Sequence, residues 1–114
     1  MEINVALQVF DALSQETRLA VVRLLVTAGP AGMSTGRVAE TLDCRQNTLS
    51  SHLKMLAGAE LVNSRRVGRN IVYSANFNTI KDLVLFLMED CCAGNTVVCG
   101  AVAQSINETV KEGT

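Results

Sequence analysis

The 114-residue sequence has a single proline and a single histidine, and only 18% of its residues are charged. With 48% hydrophobic residues, that composition excludes a disordered tail, a collagen-like fibre and a linker. Long apolar runs are also missing. The longest, Leu83 to Met88, is far short of the roughly 20 residues a membrane span needs. The first residues, Met1-Glu2-Ile3-Asn4, lack the basic start and apolar stretch of a signal peptide, so the expected location is the cytoplasm, with no membrane partner. One histidine leaves little for acid–base chemistry. There is no phosphate loop, no Cys-x-x-Cys pair and no cysteine followed by the arginine of an anion loop. An enzyme, and with it a small organic substrate, is therefore not expected. No repeat is visible.

What is present is apolar surface in excess of what so small a body hides, which predicts an oligomer. Four cysteines, Cys44, Cys91, Cys92 and Cys99, are expected as thiols in a reducing compartment. Net charge is −1, yet residues 45–69 carry Arg45, Lys54, Arg65, Arg66 and Arg69 against Glu60 alone. A basic middle between acidic ends points to a local anion-binding face.

Periodicity divides the chain into short elements. A first helix is expected over 5–13, with Val5, Val9 and Ala12 or Leu13 on its buried stripe. Ser14 is read as the cap of a second helix, apolar nearly all round and stopped by Gly29-Pro30. Ser34 caps a third over 35–42, with Val38, Ala39 and Leu42 inward. After a tight turn at Asp43-Cys44, a fourth helix spans 45–57 with Leu49, Leu53 and Leu56 as its apolar back. Residues 61–66 and 70–74 then read as a β-hairpin around Gly68. A fifth helix runs from Asn76 or Asn78 to about Cys92, with Ile80, Leu83, Val84, Leu87 and Met88 as its stripe. Residues 97–110 are a candidate for one more.

Two helices across a tight turn, followed by a basic hairpin, make the winged helix-turn-helix pattern, mainly α with a small β-hairpin. A helix that enters the major groove needs an apolar back and a front of short polar side chains. The fourth helix has both. Gln46 and Asn47 suit bidentate contact with adenine, and Thr48, Ser50, Ser51 and His52 offer hydrogen bonds to base edges or phosphate. Arg45 and Lys54 suit phosphate contact, as do Arg65, Arg66 and Arg69 on the hairpin.

Residues 12–19, Ala-Leu-Ser-Gln-Glu-Thr-Arg-Leu, resemble the start of the second helix in the ArsR/SmtB family of metal-responsive bacterial repressors. Residues 44–56, from Cys44 to Leu56, resemble that family's recognition helix, and 58–62 and 66–73 its helix end and wing. The resemblance spans about residues 5–90. It implies a homodimer paired through the first and last helices, which binds an imperfect palindrome and leaves it when an inducer binds. It also suggests a division into 1–92, the DNA-binding and dimerisation domain, and 93–114, an inducer-binding tail.

Cys91, Cys92 and Cys99 lie within nine residues. Soft thiolates select soft ions, and three sulfurs with no nearby histidine suit a trigonal-pyramidal ion such as As(III), or Sb(III), better than tetrahedral zinc. Adjacent helical residues point about 100° apart, so the pair shares an ion only near a loosened helix end. The third-helix start, Met33-Ser34-Thr35-Gly36-Arg37, holds none of the cysteines found there in other arsenic sensors of the family. The pattern is similar to members whose arsenic site lies at the end of the last helix. A thiol-based redox or persulfide switch on the same cysteines is the alternative. Cys44 is expected to be a small buried hydrophobe and not a ligand.

Overall fold

The computed structural model describes residues 1–94, with side-chain environments through Glu89. The order is α1 (Ile3–Leu13), α2 (Glu16–Ala28), β1 (Met33–Ser34), α3 (Thr35–Thr41), α4 (Gln46–Gly58), β2 (Val62–Val67), β3 (Asn70–Ala75) and α5 (Phe77–Gly94). Cys99 and the candidate helix over 97–110 lie outside the described residues.

One apolar core joins all the helices. Val21, Leu25, Val38, Leu49, Leu56 and Leu61 are fully buried, and Leu53 nearly so. Each buried leucine stabilises the fold by about 1.5–3 kcal/mol. Leu49, Leu53 and Leu56 are the expected back of α4. Ser34 caps α3 as predicted, its hydroxyl accepting from the Arg37 N–H at 3.3 Å. In the turn between α3 and α4, Asp43 takes a positive φ of 51° and the Cys44 N–H returns to the Ala39 carbonyl at 2.9 Å.

Several expectations are corrected. Ser14 closes α1 and does not cap α2. Its backbone, with φ −82° and ψ 32°, is not extended, and its hydroxyl turns back to donate to the Asp11 carbonyl at 2.8 Å. Gln15, one residue later, is extended, and its side-chain oxygen accepts from the Arg18 N–H at 2.8 Å. A cap needs that extended geometry. In α1 the buried stripe is Ala6, Val9 and Ala12, while Val5 is exposed in the first turn. In α5 only Leu83 of the predicted stripe is buried, with Ile80 and Met88 half-buried. Val84 and Leu87 are exposed: the side of α5 that meets the core is Ile80, Leu83 and Phe86, with Val84 turned away from it and Leu87 beyond it.

The sheet has three strands in the order β1-β3-β2, all antiparallel. The hairpin turns at Gly68-Arg69, between the paired Val67 and Asn70. Positive φ at Gly68 (62°) and not at Arg69 is the pattern of a type II′ turn. The short strand β1, absent from the sequence reading, ties the hairpin to the helices through Met33 opposite Tyr73 and Ser34 opposite Val72. The loop before it uses Gly32 at φ 74°. A Cβ there would run into the Tyr73 carbonyl oxygen, so only glycine lets the loop approach the central strand this closely.

Among the described residues no helix is long and apolar enough to cross a membrane. The exposed apolar surface is concentrated instead. Ile3, Leu7 and Phe10 fall at i, i+4 and i+7 on the side of α1 away from its core stripe, and Phe77, Val84, Leu85 and Leu87 are exposed on α5. Met1 lines a cleft with Leu85, Phe86 and Met88, so the start of the chain lies beside the second half of α5.

Candidate nucleic-acid interface

With three leucines fixing the back of α4, helical geometry fixes the rest. Asn47, Ser51 and Lys54, at i, i+4 and i+7, form the stripe opposite the leucines, and all are exposed. Gln46 and Ser50 flank that stripe on the hairpin side. They line a cleft of about 330 Å³ with Arg69, Asn70 and Ile71. The Gln46 amide leans on Gly36 at the start of α3, where a Cβ would lie 3.7 Å from its nitrogen. Thr35 donates to the Ile71 carbonyl at 3.2 Å and ties α3 to the hairpin across the same cleft. Arg45 is the exposed N-cap residue of α4.

Thr48 flanks the stripe on the other side. It lines a second cleft with Glu16, Thr17 and Cys44. Cys44 is a half-buried free thiol packed against the core, with its Sγ 3.6 Å from the Arg45 carbonyl. Among the described residues no group of three or more potential ligands could hold a metal ion. Cys91 and Cys92 are in the last turn of α5.

His52 is the one candidate on α4 that is half-buried. Its Nδ1 lies 3.4 Å from Nη1 of Arg18. The guanidinium can only donate, so Nδ1 accepts and the ring proton sits on Nε2. No buried side-chain nitrogen or oxygen among the described residues lacks a partner, so Nε2, with none among those residues, is accessible to solvent. Arg18 also donates through Nε to the Ala12 carbonyl at 2.6 Å and through Nη1 to the Met55 sulfur at 3.4 Å. One side chain thus joins α1, α2 and α4. The sequence reading missed it. The available signal was a cation in the first turn of α2, where the helix dipole disfavours positive charge and a compensating partner is needed.

On the hairpin, Arg65, Arg66 and Arg69 are all exposed. They are not equivalent. Arg65 crosses the sheet and donates to the Ala31 carbonyl at 2.8 Å, which fastens the hairpin to the loop before β1. Arg66, its neighbour on β2, points to the opposite face of the strand, and Arg69 sits in the turn.

Comparison with known proteins agrees with this geometry. The family described as a helix-turn-helix domain matches residues 13–65, from the end of α1 into β2. The transcriptional repressor SdpR of Bacillus subtilis is 31% identical over 80 residues, covering 70% of this chain and 86% of that protein. The structure of an ArsR-like transcriptional regulator from Rhodococcus sp. RHA1 superposes with a TM-score of 0.68 at 29% identity, over 90% of this chain and 92% of that one. HlyU from Vibrio cholerae superposes with a TM-score of 0.63 at 28% identity, over 81% and 99%. These relatives are regulators and not enzymes. The chain belongs to the ArsR family of winged helix-turn-helix transcriptional regulators, and it binds DNA.

Proposed function

We propose that the protein is a homodimeric repressor that reads its operator with α4 and leaves it when As(III), or Sb(III), is held by thiolates of Cys91, Cys92 and Cys99. The observation that carries the DNA-reading half is the outward polar stripe of α4, set between a basic hairpin and a rigid apolar back. Asn47 and Ser51 lie where they reach base edges, with Gln46, Thr48 and Ser50 beside them. His52 offers Nε2–H as a donor. Arg45, Lys54, Arg66 and Arg69 neutralise phosphates. Dimerisation is supported by the second apolar face of α1, Ile3, Leu7 and Phe10, and by the exposed apolar residues of α5. Two copies joined there would present two reading helices to one side of a duplex.

The thiol half rests on the donor set and its position. Cys91 and Cys92 fall within the last turn of α5, the helix that also carries the exposed apolar surface. A soft ion held there is joined directly to the dimer surface. To release DNA it must favour the DNA-incompetent form by about 1–3 kcal/mol or more.

Two measurements test the reading. An operator is first selected from a pool of random duplexes. Asn47→Ala is expected to lose about 1–3 kcal/mol of discrimination at one base pair with an unchanged salt dependence. If sequence choice is untouched, the groove assignment of α4 fails. Arsenite is then expected to release the wild type and not Cys99→Ser, both binding equally well without it. Release by peroxide or persulfide, and not by arsenite, would instead make the same thiols a redox switch.

A further inference from the structure

We infer that Arg18 is a positioning residue for operator recognition: through its hydrogen bond to Nδ1 it holds His52 as a solvent-accessible Nε2–H donor at the α1 edge of α4, beside the reading face. This rests on the reading of His52 as a DNA contact. Arg18 is placed for this by three contacts from one guanidinium. Nε is fixed on the Ala12 carbonyl at 2.6 Å, at the end of α1. Nη1 then reaches His52 and Met55 together, each at 3.4 Å. His52 and Met55 are i and i+3 on α4, so the grip spans one turn of the helix on the side away from the hairpin. Leucines hold the back of α4, and the half-buried imidazole lies at the edge of that back. A ring free to flip would present Nδ1 or Nε2, and donor or acceptor, by turns. A ring whose Nδ1 must accept from a cation presents one donor in one direction. That prepays part of the ordering cost of binding.

His52 is the only histidine in the chain, which makes the ring directly observable. In a long-range proton–nitrogen spectrum of the wild-type protein in mildly alkaline buffer, the one imidazole is expected with its proton on Nε2. A proton on Nδ1 would overturn the proposal without any variant being made.

The operator-binding test uses Arg18→Gln, Arg18→Lys, His52→Ala and the double variant Arg18→Gln/His52→Ala. Arg18→Gln and His52→Ala are each expected to weaken binding about tenfold, the size of one hydrogen bond to a charged group. The double variant is expected at about the same tenfold, and not the roughly hundredfold of independent sites. Arg18→Lys keeps the charge and loses the fork, and is expected to bind as weakly as Arg18→Gln. The salt slope of Arg18→Gln is expected to match the wild type. A slope flatter by about 0.9 would mean that Arg18 itself meets a phosphate, and would overturn the assignment. So would losses that multiply in the double variant, or full affinity in Arg18→Lys. Wild-type binding by Arg18→Gln alongside weak binding by His52→Ala overturns this proposal alone. Wild-type binding by His52→Ala removes the His52 contact itself, and the proposal with it.

Discussion

Gly32→Ala is expected to destabilise the protein by about 2–4 kcal/mol, measured by chemical denaturation, and to weaken operator binding in proportion to the loosened hairpin. Two costs combine. The φ of 74° penalises any side chain, by about 1 kcal/mol. The new methyl would also overlap the Tyr73 carbonyl oxygen and approach the Ser74 Cβ to 3.2 Å, and relieving such overpacking costs about 1–3 kcal/mol. Neither obstacle is the end of a flexible side chain. Tyr73 lies in the central strand, paired to β1 on one side and β2 on the other, so the strand must move or the loop must leave it. Gly68→Ala is the control. Its φ of 62° is similarly strained, but a Cβ there meets nothing within 4 Å, and the expected loss is about 1 kcal/mol. Equal losses at the two sites would show that the close approach of the loop to β3 contributes nothing.

Why Gly32 escaped the sequence reading is instructive, because nearby features did not. The Leu49, Leu53 and Leu56 stripe, the Ser34 cap and the Gly68 turn all involve partners within a few residues, and periodicity or local geometry exposes them. Gly32 matters because of a strand some 40 residues later in the chain, and β1 is only two residues long. Arg18 is the same case: its partners on α4 are 34 and 37 residues away. Val84 and Leu87 had the right spacing for burial, but spacing cannot say which side of α5 meets the core or where the core ends. Within α4 the pattern identified the reading face, while only the fold separates the central Asn47 and Ser51 from Gln46 at the hairpin edge and His52 at the α1 edge. The three arginines of the hairpin looked alike as a charge cluster. The fold sorts them by whether a carbonyl is already within reach.

That sorting leads to the largest expected effect on DNA binding. The double variant Arg66→Ala/Arg69→Ala is expected to bind operator about a hundredfold more weakly in low salt, on the basis of about tenfold for each charge-assisted phosphate contact. The loss should be uniform across sequences, since phosphate contacts carry no base information. Removing two neutralised phosphates should also flatten the plot of log affinity against log salt by about 1.8. The curves of wild type and variant therefore converge as salt rises. Arg65→Ala is the comparison. Its guanidinium already serves the Ala31 carbonyl at 2.8 Å, so its loss should lower stability slightly and leave the salt slope nearly unchanged. A slope flattened by about 0.9 in Arg65→Ala would put that arginine on a phosphate after all, which requires it to let go of the loop when DNA binds. An unchanged slope in Arg66→Ala/Arg69→Ala would mean that the hairpin stays clear of the duplex. The positive charge of residues 45–69 would then act through Arg45 and Lys54 on α4 alone, which narrows the contacted backbone to the edges of one groove.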